Sequence, residues 1–312
     1  MTDLLLLLAG IVLLAGGGEV LIRGALAAAQ RVGLSPLLSG LLIVGMGTSA
    51  PELAVSVDAA LSGQAALAVG NVVGSNISNV LLILGTCALI APIAVPPTSL
   101  SRDAWAMVGA TVLAIGLAAG AVLTRLDALA LLVALGAYLV WAYRSERAVH
   151  AASTAVYAPT PAPHSWLWTL AAIAGGLLLL VGGSQVLLRG AVGVAQTLGL
   201  SETMIGLTLV AVGTSLPELS VSIIAALRNH ADVAVGNVLG SNIFNLLGIL
   251  GLSAAVHPLA LPARVLAVDL WVMGGTALAL LLFLYTGRRL TRLEGALLVG
   301  GYATYVALSL GA

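Results

Sequence analysis

The chain has almost no charge: 8% of its 312 residues are Asp, Glu, Lys or Arg, where a soluble domain carries roughly 25%. It has no lysine, and its 12 basic residues are all arginine, balanced by 12 acidic ones. The net charge of zero by itself says nothing about nucleic acid, and none is expected as a partner. One cysteine, Cys87, excludes a disulfide framework and a thiolate metal site, and it is expected to pack or to face lipid. Two phenylalanines are hardly missed, because 60% of the residues are hydrophobic and the mean hydropathy is +1.13. A chain of this composition belongs in a bilayer. The first apolar run, Leu4 to Leu14, resembles a signal-peptide core but follows Asp3 instead of a basic cluster, so it is read as retained.

Ten stretches are long enough to cross roughly 30 Å of hydrocarbon as helices. They are residues 4–27, 36–61, 66–91, 104–122, 126–143, 166–190, 203–227, 232–255, 266–284 and 294–311. No alternation of period two supports a barrel, so helices must satisfy the backbone. Residues 145–165, with Pro159, Pro161 and Pro163, form the one linker, dividing the chain into 1–144 and 166–312.

The two parts repeat each other. GTSAPEL at Gly47 to Leu53 returns as GTSLPEL at Gly213 to Leu219, an offset of 166 residues. GNVVGSNISN, starting at Gly70, returns at the same offset as GNVLGSNIFN, as do Arg23 with Arg189, Asp103 with Asp269, and Trp105 with Trp271. Five crossings per unit is an odd number, so the second copy must enter from the opposite side. The expected fold is therefore all-α and integral to the membrane, with ten transmembrane helices as two inverted five-helix repeats. Nine arginines fall in the loops on the linker's side and three on the other, which predicts a cytoplasmic linker and both termini outside the cell membrane. Besides the bilayer and the ions, no obligate protein partner is expected.

Glu52 and Glu218 fall near the middle of the second and seventh crossings, where an unpaired carboxylate costs roughly 2.5 kcal/mol or more. Thr48 and Ser49 share one side of the helix with Glu52, as Thr214 and Ser215 do with Glu218. Pro51 and Pro217 lack the amide that would satisfy the carbonyls of Gly47 and Gly213, so both helices are expected to kink or break at mid-membrane. In the third and eighth crossings Asn71, Ser75 and Asn79, and their copies Asn237, Ser241 and Asn245, recur every four residues as polar stripes. Gly70 with Gly74 and Gly236 with Gly240 are small-xxx-small pairs that permit close helix approach. Asn76 and Asn242, one residue off the stripes, read as structural. Carboxylates, amides, hydroxyls and carbonyls suit hard cations, Ca²⁺ in particular, which takes about six to eight oxygens. Two carboxylates neutralise one Ca²⁺ or two Na⁺. His150, His164, His230 and His257 lie in loops or at helix ends. Asp58, six residues past Glu52, reads as a solvated helix-end carboxylate, or as an attractor of cations at the mouth.

In these paired motifs the chain closely resembles the prokaryotic sodium/calcium exchanger family of the Ca²⁺/cation antiporter superfamily, along essentially its whole length. The resemblance implies Ca²⁺/Na⁺ antiport without a cofactor, with Glu52 and Glu218 as the central Ca²⁺ ligands. It implies further oxygens, mainly for Na⁺, from Thr48, Ser49, Ser75, Thr214, Ser215 and Ser241, with Asn79 and Asn245 at the centre and backbone carbonyls from Gly45 and Ala211. Studied exchangers carry Asp where Asn245 stands, so this site has one ionisable group fewer. Gly45 stands where Ala is usual, a change expected to matter little for a carbonyl ligand. The linker is too short for a Ca²⁺-sensing domain. A proton/calcium antiporter would use the same glutamates, alternately protonated and Ca²⁺-bound. A channel would place its ligands around an oligomer axis, and no H-E-x-x-H or Ser/His pair supports an enzyme.

Overall fold

The computed structural model describes residues 2–94, 97–154, 165–197, 213–287 and 289–310. They are almost entirely helical: α1 (Thr2–Val32), α2 (Pro36–Thr48), α3 (Ala50–Leu61), α4 (Ala65–Ile90), α5 (Pro97–Ala118), α6 (Arg125–Thr154), α7 (Trp166–Thr197), α8 (Leu216–Leu227), α9 (Ala231–Val256), α10 (Leu270–Gly287) and α11 (Arg292–Leu310). Six helices are long and apolar enough to span a membrane, and α2 with α3 adds a span bent by 44°. Of the other expected crossings, residues 104–118 and 294–310 are helical in α5 and α11. Residues 203–212 of the seventh lie outside the described residues, and α8 forms its second half.

Helix ends differ from the expectation where the sequence holds no early stop. α1 runs past residue 27 through Ala, Gln and Arg, all good helix formers, to Gly33, whose φ of +70° ends it as only glycine does cheaply. α6 likewise continues to Thr154, so the first ten residues of the expected linker are helical; its prolines lie outside the described residues.

Four two-residue strands clip the halves together. β1 (Ile93–Ala94) pairs antiparallel with β4 (Arg289–Leu290), and β2 (Val122–Leu123) with β3 (Leu259–Ala260). β1 precedes α5 and β2 follows it, so the clips sit at opposite ends of that helix. The next helix starts alike in both halves. Asp127 accepts from the Thr124 amide and hydroxyl at 2.8 and 2.7 Å, and Glu294 accepts from those of Thr291 at 2.7 Å each, two capping boxes that fix where α6 and α11 begin.

The long helices α1 and α7 lie against each other over most of their length and run antiparallel. A methyl group at Gly10, Gly17 or Gly24 would strike Leu187, Leu179 and Leu180, or Ile173, and one at Gly176, Gly183 or Gly190 would strike Leu21, Leu13 and Leu14, or Leu7. Glycine every seventh residue on both helices brings the backbones together, which is how apolar helices gain dispersion energy where lipid supplies no hydrophobic drive. Leu4, Leu8, Val12, Leu167 and Leu178 stay on the outer surface of this pair, as expected for side chains solvated by lipid.

The main core is built from α4, α5, α6, α9 and α10, with Ile77, Leu84, Met107, Leu131 and Leu239 fully enclosed. Cys87 is enclosed with them and packs there, away from lipid. One buried charged network ties the core together. Arg102 donates to both oxygens of Asp103 at 2.7 and 2.8 Å and reaches Glu146 at 3.5 Å; Tyr138 donates to Asp103 at 3.1 Å, and the amide of Ser35 to Glu146 at 3.1 Å. Three elements, α5, α6 and the start of α2, are thereby joined.

Candidate ion-binding site

α2 ends at Thr48 and α3 begins at Ala50, with Ser49 (φ −78°, ψ 8°) as the break. Pro51 occupies the first turn of α3, where its missing amide costs nothing, so the proline starts a new helix as much as it breaks an old one. Pro217 does the same for α8 after Ser215 (φ −86°, ψ 5°). Each restart puts a glutamate, Glu52 or Glu218, in the first turn, where the positive end of the helix dipole favours a carboxylate.

The two glutamates are then bound crosswise. The hydroxyl of Ser49 donates to Glu218 Oε1 at 3.0 Å, and that of Ser215 donates to Glu52 Oε1 at 3.2 Å. Each hydroxyl and its acceptor come from different halves, and the two bonds are copies of each other at the offset of 166 residues. Both carboxylates are 1% exposed, yet Glu52 Oε2 and Glu218 Oε2 have no hydrogen-bond partner among the described residues. Asn79 Oδ1, Asn245 Oδ1 and Thr214 Oγ1 are equally without partners. A buried polar atom left unsatisfied costs about 1–3 kcal/mol, and more when charged. Five orphaned oxygens are a donor set for a cation, and among the described residues no three His, Cys, Asp or Glu side chains gather to offer softer chemistry.

A second symmetric pair of bonds holds this geometry. Asn71 Nδ2 donates to the backbone carbonyl of Glu52 at 3.2 Å and to Ser56 Oγ at 2.9 Å. Asn237 Nδ2 donates to the Glu218 carbonyl at 3.2 Å and to Ser222 Oγ at 2.8 Å. These stripe asparagines clamp α3 to α4 and α8 to α9, and their amino groups are spent on the clamp. Sequence reasoning passed over Ser56 and Ser222, although both stand four residues after a glutamate and recur at the same offset.

On one side the site touches the close contact of α2 with α9. The Gly45 carbonyl accepts from Ser241 Oγ at 3.0 Å, and Thr48 Oγ1 lies 3.2 Å from Asn237 Oδ1 and 3.4 Å from the same carbonyl. Gly45 O thus already has protein donors. Packing adds a requirement at Gly45 apart from its carbonyl, because an added Cβ would lie 2.8 Å from the Ser241 amide nitrogen and 2.9 Å from Asn237 O. Ser75 is buried in α4. Ala211 lies outside the described residues.

Single π-helical turns accompany the site: Gly40–Gly45, Asn79–Leu84 and Phe244–Ile249 contain Gly45, Asn79 and Asn245. Such turns widen a helix by one residue per turn and re-aim the side chains there. They carry no composition signal. Asp58 is exposed in the last turn of α3, on a groove with Leu53, Val57, Leu252 and Val256, and His230 and His257 flank α9, all away from the glutamates.

The sequence model described as sodium/calcium exchanger protein matches residues 2–144 and 168–311. The chain belongs to this exchanger family. Similar exchangers and antiporters include the putative antiporter CaxA of Alkalimonas amylolytica, 38% identical over 96% of this chain and 95% of that one. The sodium/calcium exchanger MaX1 of Methanosarcina acetivorans is 31% identical over 98% of both chains. Among solved structures, the sodium-calcium exchanger NCX_Mj soaked with Na⁺ and Ca²⁺ superposes with a TM-score of 0.85 at 29% identity, covering 98% of each chain. Members of this family are multi-pass membrane transporters, not enzymes.

Proposed function

We propose that the chain is a secondary antiporter that exchanges Ca²⁺ for Na⁺ by alternating access, with the ions held between Glu52 and Glu218. One observation carries the reading: two buried carboxylates, each holding a serine from the other half on one oxygen and leaving the other oxygen unpaired. Asn79, Asn245, Thr48, Ser49, Ser75, Thr214, Ser215 and Ser241, with the carbonyls of Gly45 and Ala211, complete the ligand set. The antiparallel course of α1 and α7, whose glycines match at 166 residues, supports two inverted repeats, which we set in ten crossings, and the arginine distribution supports both termini outside and the linker in the cytoplasm.

The charge of the pair accounts for exchange over one-way flow. One Ca²⁺ or two Na⁺ neutralises the two carboxylates, and the conformational switch then moves a neutral site. An empty site keeps two buried negative charges, which opposes the switch, since unpaired charge at that depth costs several kcal/mol. The carrier therefore returns only when reloaded.

A second reading, a proton/calcium antiporter, is favoured by Asn245, which is not ionisable and leaves protonation of the glutamates as the means of neutralising an emptied site. ⁴⁵Ca²⁺ uptake into proteoliposomes under an outward Na⁺ gradient, and separately under an outward proton gradient, divides the two. Uptake driven by Na⁺ and lost in Glu52→Gln is the expected result. Uptake driven by protons alone selects the second reading, and uptake with neither gradient in ion-equilibrated vesicles sinks both.

A further inference from the structure

The two central asparagines are copies in sequence but are not held alike. Asn79 and Asn242 sit on α4 and α9, one from each half. Asn242 Nδ2 points at two acceptors, the backbone carbonyl of Asn76 at 3.4 Å and Met107 Sδ at 3.6 Å. A carbonyl only accepts, so the amino end of Asn242 must face it and the oxygen end must face the other way. That oxygen, Oδ1, accepts from Asn79 Nδ2 at 3.0 Å. Since an amide oxygen cannot donate, Asn79 has to present its amino group to Asn242 and turn its own Oδ1 away, and that Oδ1 is without a partner among the described residues. The whole orientation follows from one backbone carbonyl.

The other half breaks this chain at its first link. The counterpart of Asn242 is Asn76, and Asn76 Nδ2 folds back on its own helix to the Val72 carbonyl at 2.7 Å. It leaves its Oδ1 without a partner, and both side-chain polar atoms of Asn245 are without one among the described residues. Asn245 is 1% exposed, as buried as Asn79, but no hydrogen bond among the described residues fixes which way its amide faces.

We propose that Asn242 is a positioning residue for the cation site: it locks Asn79 with its oxygen inward, while Asn245, lacking such a lock, swivels. Asn79 is then a permanent oxygen ligand. Asn245 offers oxygen to a bound cation and is free to turn its amino end inward, against a glutamate oxygen, when the cation leaves. In chemical terms the swivelling amide is a cation surrogate, donating hydrogen bonds to a carboxylate that has lost its ion. The inference rests on the ion-site reading above and adds that the two amides are unequal.

The test is Ca²⁺ binding to purified protein and the KM and maximal rate of uptake, in Asn242→Leu and in the sequence-equivalent Asn76→Leu. Leucine keeps the branched shape at Cγ and removes the acceptor. Asn242→Leu should weaken Ca²⁺ binding about tenfold through KM with the maximal rate retained, the effect of losing one oriented buried hydrogen bond, while Asn76→Leu stays within threefold. In an Asn79→Asp background, where both ends of the side chain are oxygen and no lock is needed, Asn242→Leu should cost nothing further. Equal losses at positions 76 and 242, or an undiminished loss in the Asn79→Asp background, would overturn the proposal. If leucine prevents folding, Asn242→Ala against Asn76→Ala carries the same comparison. Absence of Ca²⁺ binding that depends on Glu52 in the otherwise unaltered protein would instead overturn the ion-site reading, and the proposal with it.

Discussion

Gly45 is the point at which helix packing and the site meet, and Gly45→Ala measures their coupling. The new methyl would meet backbone only: Ser241 N at 2.8 Å, Asn237 O at 2.9 Å and Gly240 C at 3.1 Å. Backbone cannot rotate away, so α2 and α9 must separate by roughly 0.6 Å to reach ordinary van der Waals contact. The Ser241 to Gly45 hydrogen bond, now 3.0 Å, would stretch to about 3.6 Å and be lost. Overpacking of about 1–3 kcal/mol and a buried hydrogen bond of about 1 kcal/mol sum to roughly 2–4 kcal/mol. Thermal melting in detergent should fall accordingly, and the KM for Ca²⁺ uptake should rise at least tenfold as Ser241 leaves its position. Gly47→Ala is the control, because its methyl would meet only the tip of Leu177, at 2.9 Å, which can swing aside. If Gly45→Ala melts and transports as Gly47→Ala does, the helix contact does not set the site geometry and the reasoning is wrong.

Ser49→Ala and Ser215→Ala each take the hydroxyl from the opposite glutamate, so both should raise the KM for Ca²⁺ by roughly fivefold to a hundredfold, and by the same factor within about threefold; a one-sided effect in the uptake assay would contradict the crosswise symmetry. Arg102→Ala leaves Asp103 and Glu146 buried without their cation and should cost about 3–5 kcal/mol of stability in a melting experiment, with Ca²⁺ affinity unchanged. Asn71→Ala and Asn237→Ala free Ser56 and Ser222 and unclamp the glutamate carbonyls. Each should lower Ca²⁺ affinity roughly tenfold in direct binding, the cost of a lost buried hydrogen bond.

Much of the site was legible because the duplication marks it. GTSAPEL and GTSLPEL identify the serine and glutamate pairs, and the offset that aligns them also aligns the bonds that Ser49, Ser215, Asn71 and Asn237 make. What the motifs could not reveal is that the bonds cross between halves, since a local pattern says nothing of which helix faces it. The prolines were legible as breaks, but their place in the first turn of α3 and α8 depends on where the preceding helix stops. π turns at Asn79 and Asn245 arise from packing and leave no trace in residue type. Glycine spacing of seven in α1 and α7 is plain in the sequence, whereas the antiparallel partner is not. The repeat marks Asp103 with Asp269, but the pairing of Arg102 with Glu146 joins residues over forty positions apart and Glu146 has no counterpart in the second half, so the network itself was not legible. Asn76 and Asn242 look equivalent by every sequence criterion and differ only in which carbonyl each amide finds.

The central claim is that Glu52 and Glu218 share one divalent cation. Anomalous diffraction from crystals soaked in Sr²⁺, a heavier stand-in for Ca²⁺, tests it most directly. A single peak at coordinating distance from an oxygen of each glutamate, slightly beyond the about 2.3–2.6 Å that the smaller Ca²⁺ keeps to oxygen, with Asn79 Oδ1 nearby, is the predicted result. A peak that touches neither glutamate, or one that persists unchanged in Glu52→Gln, would contradict the account.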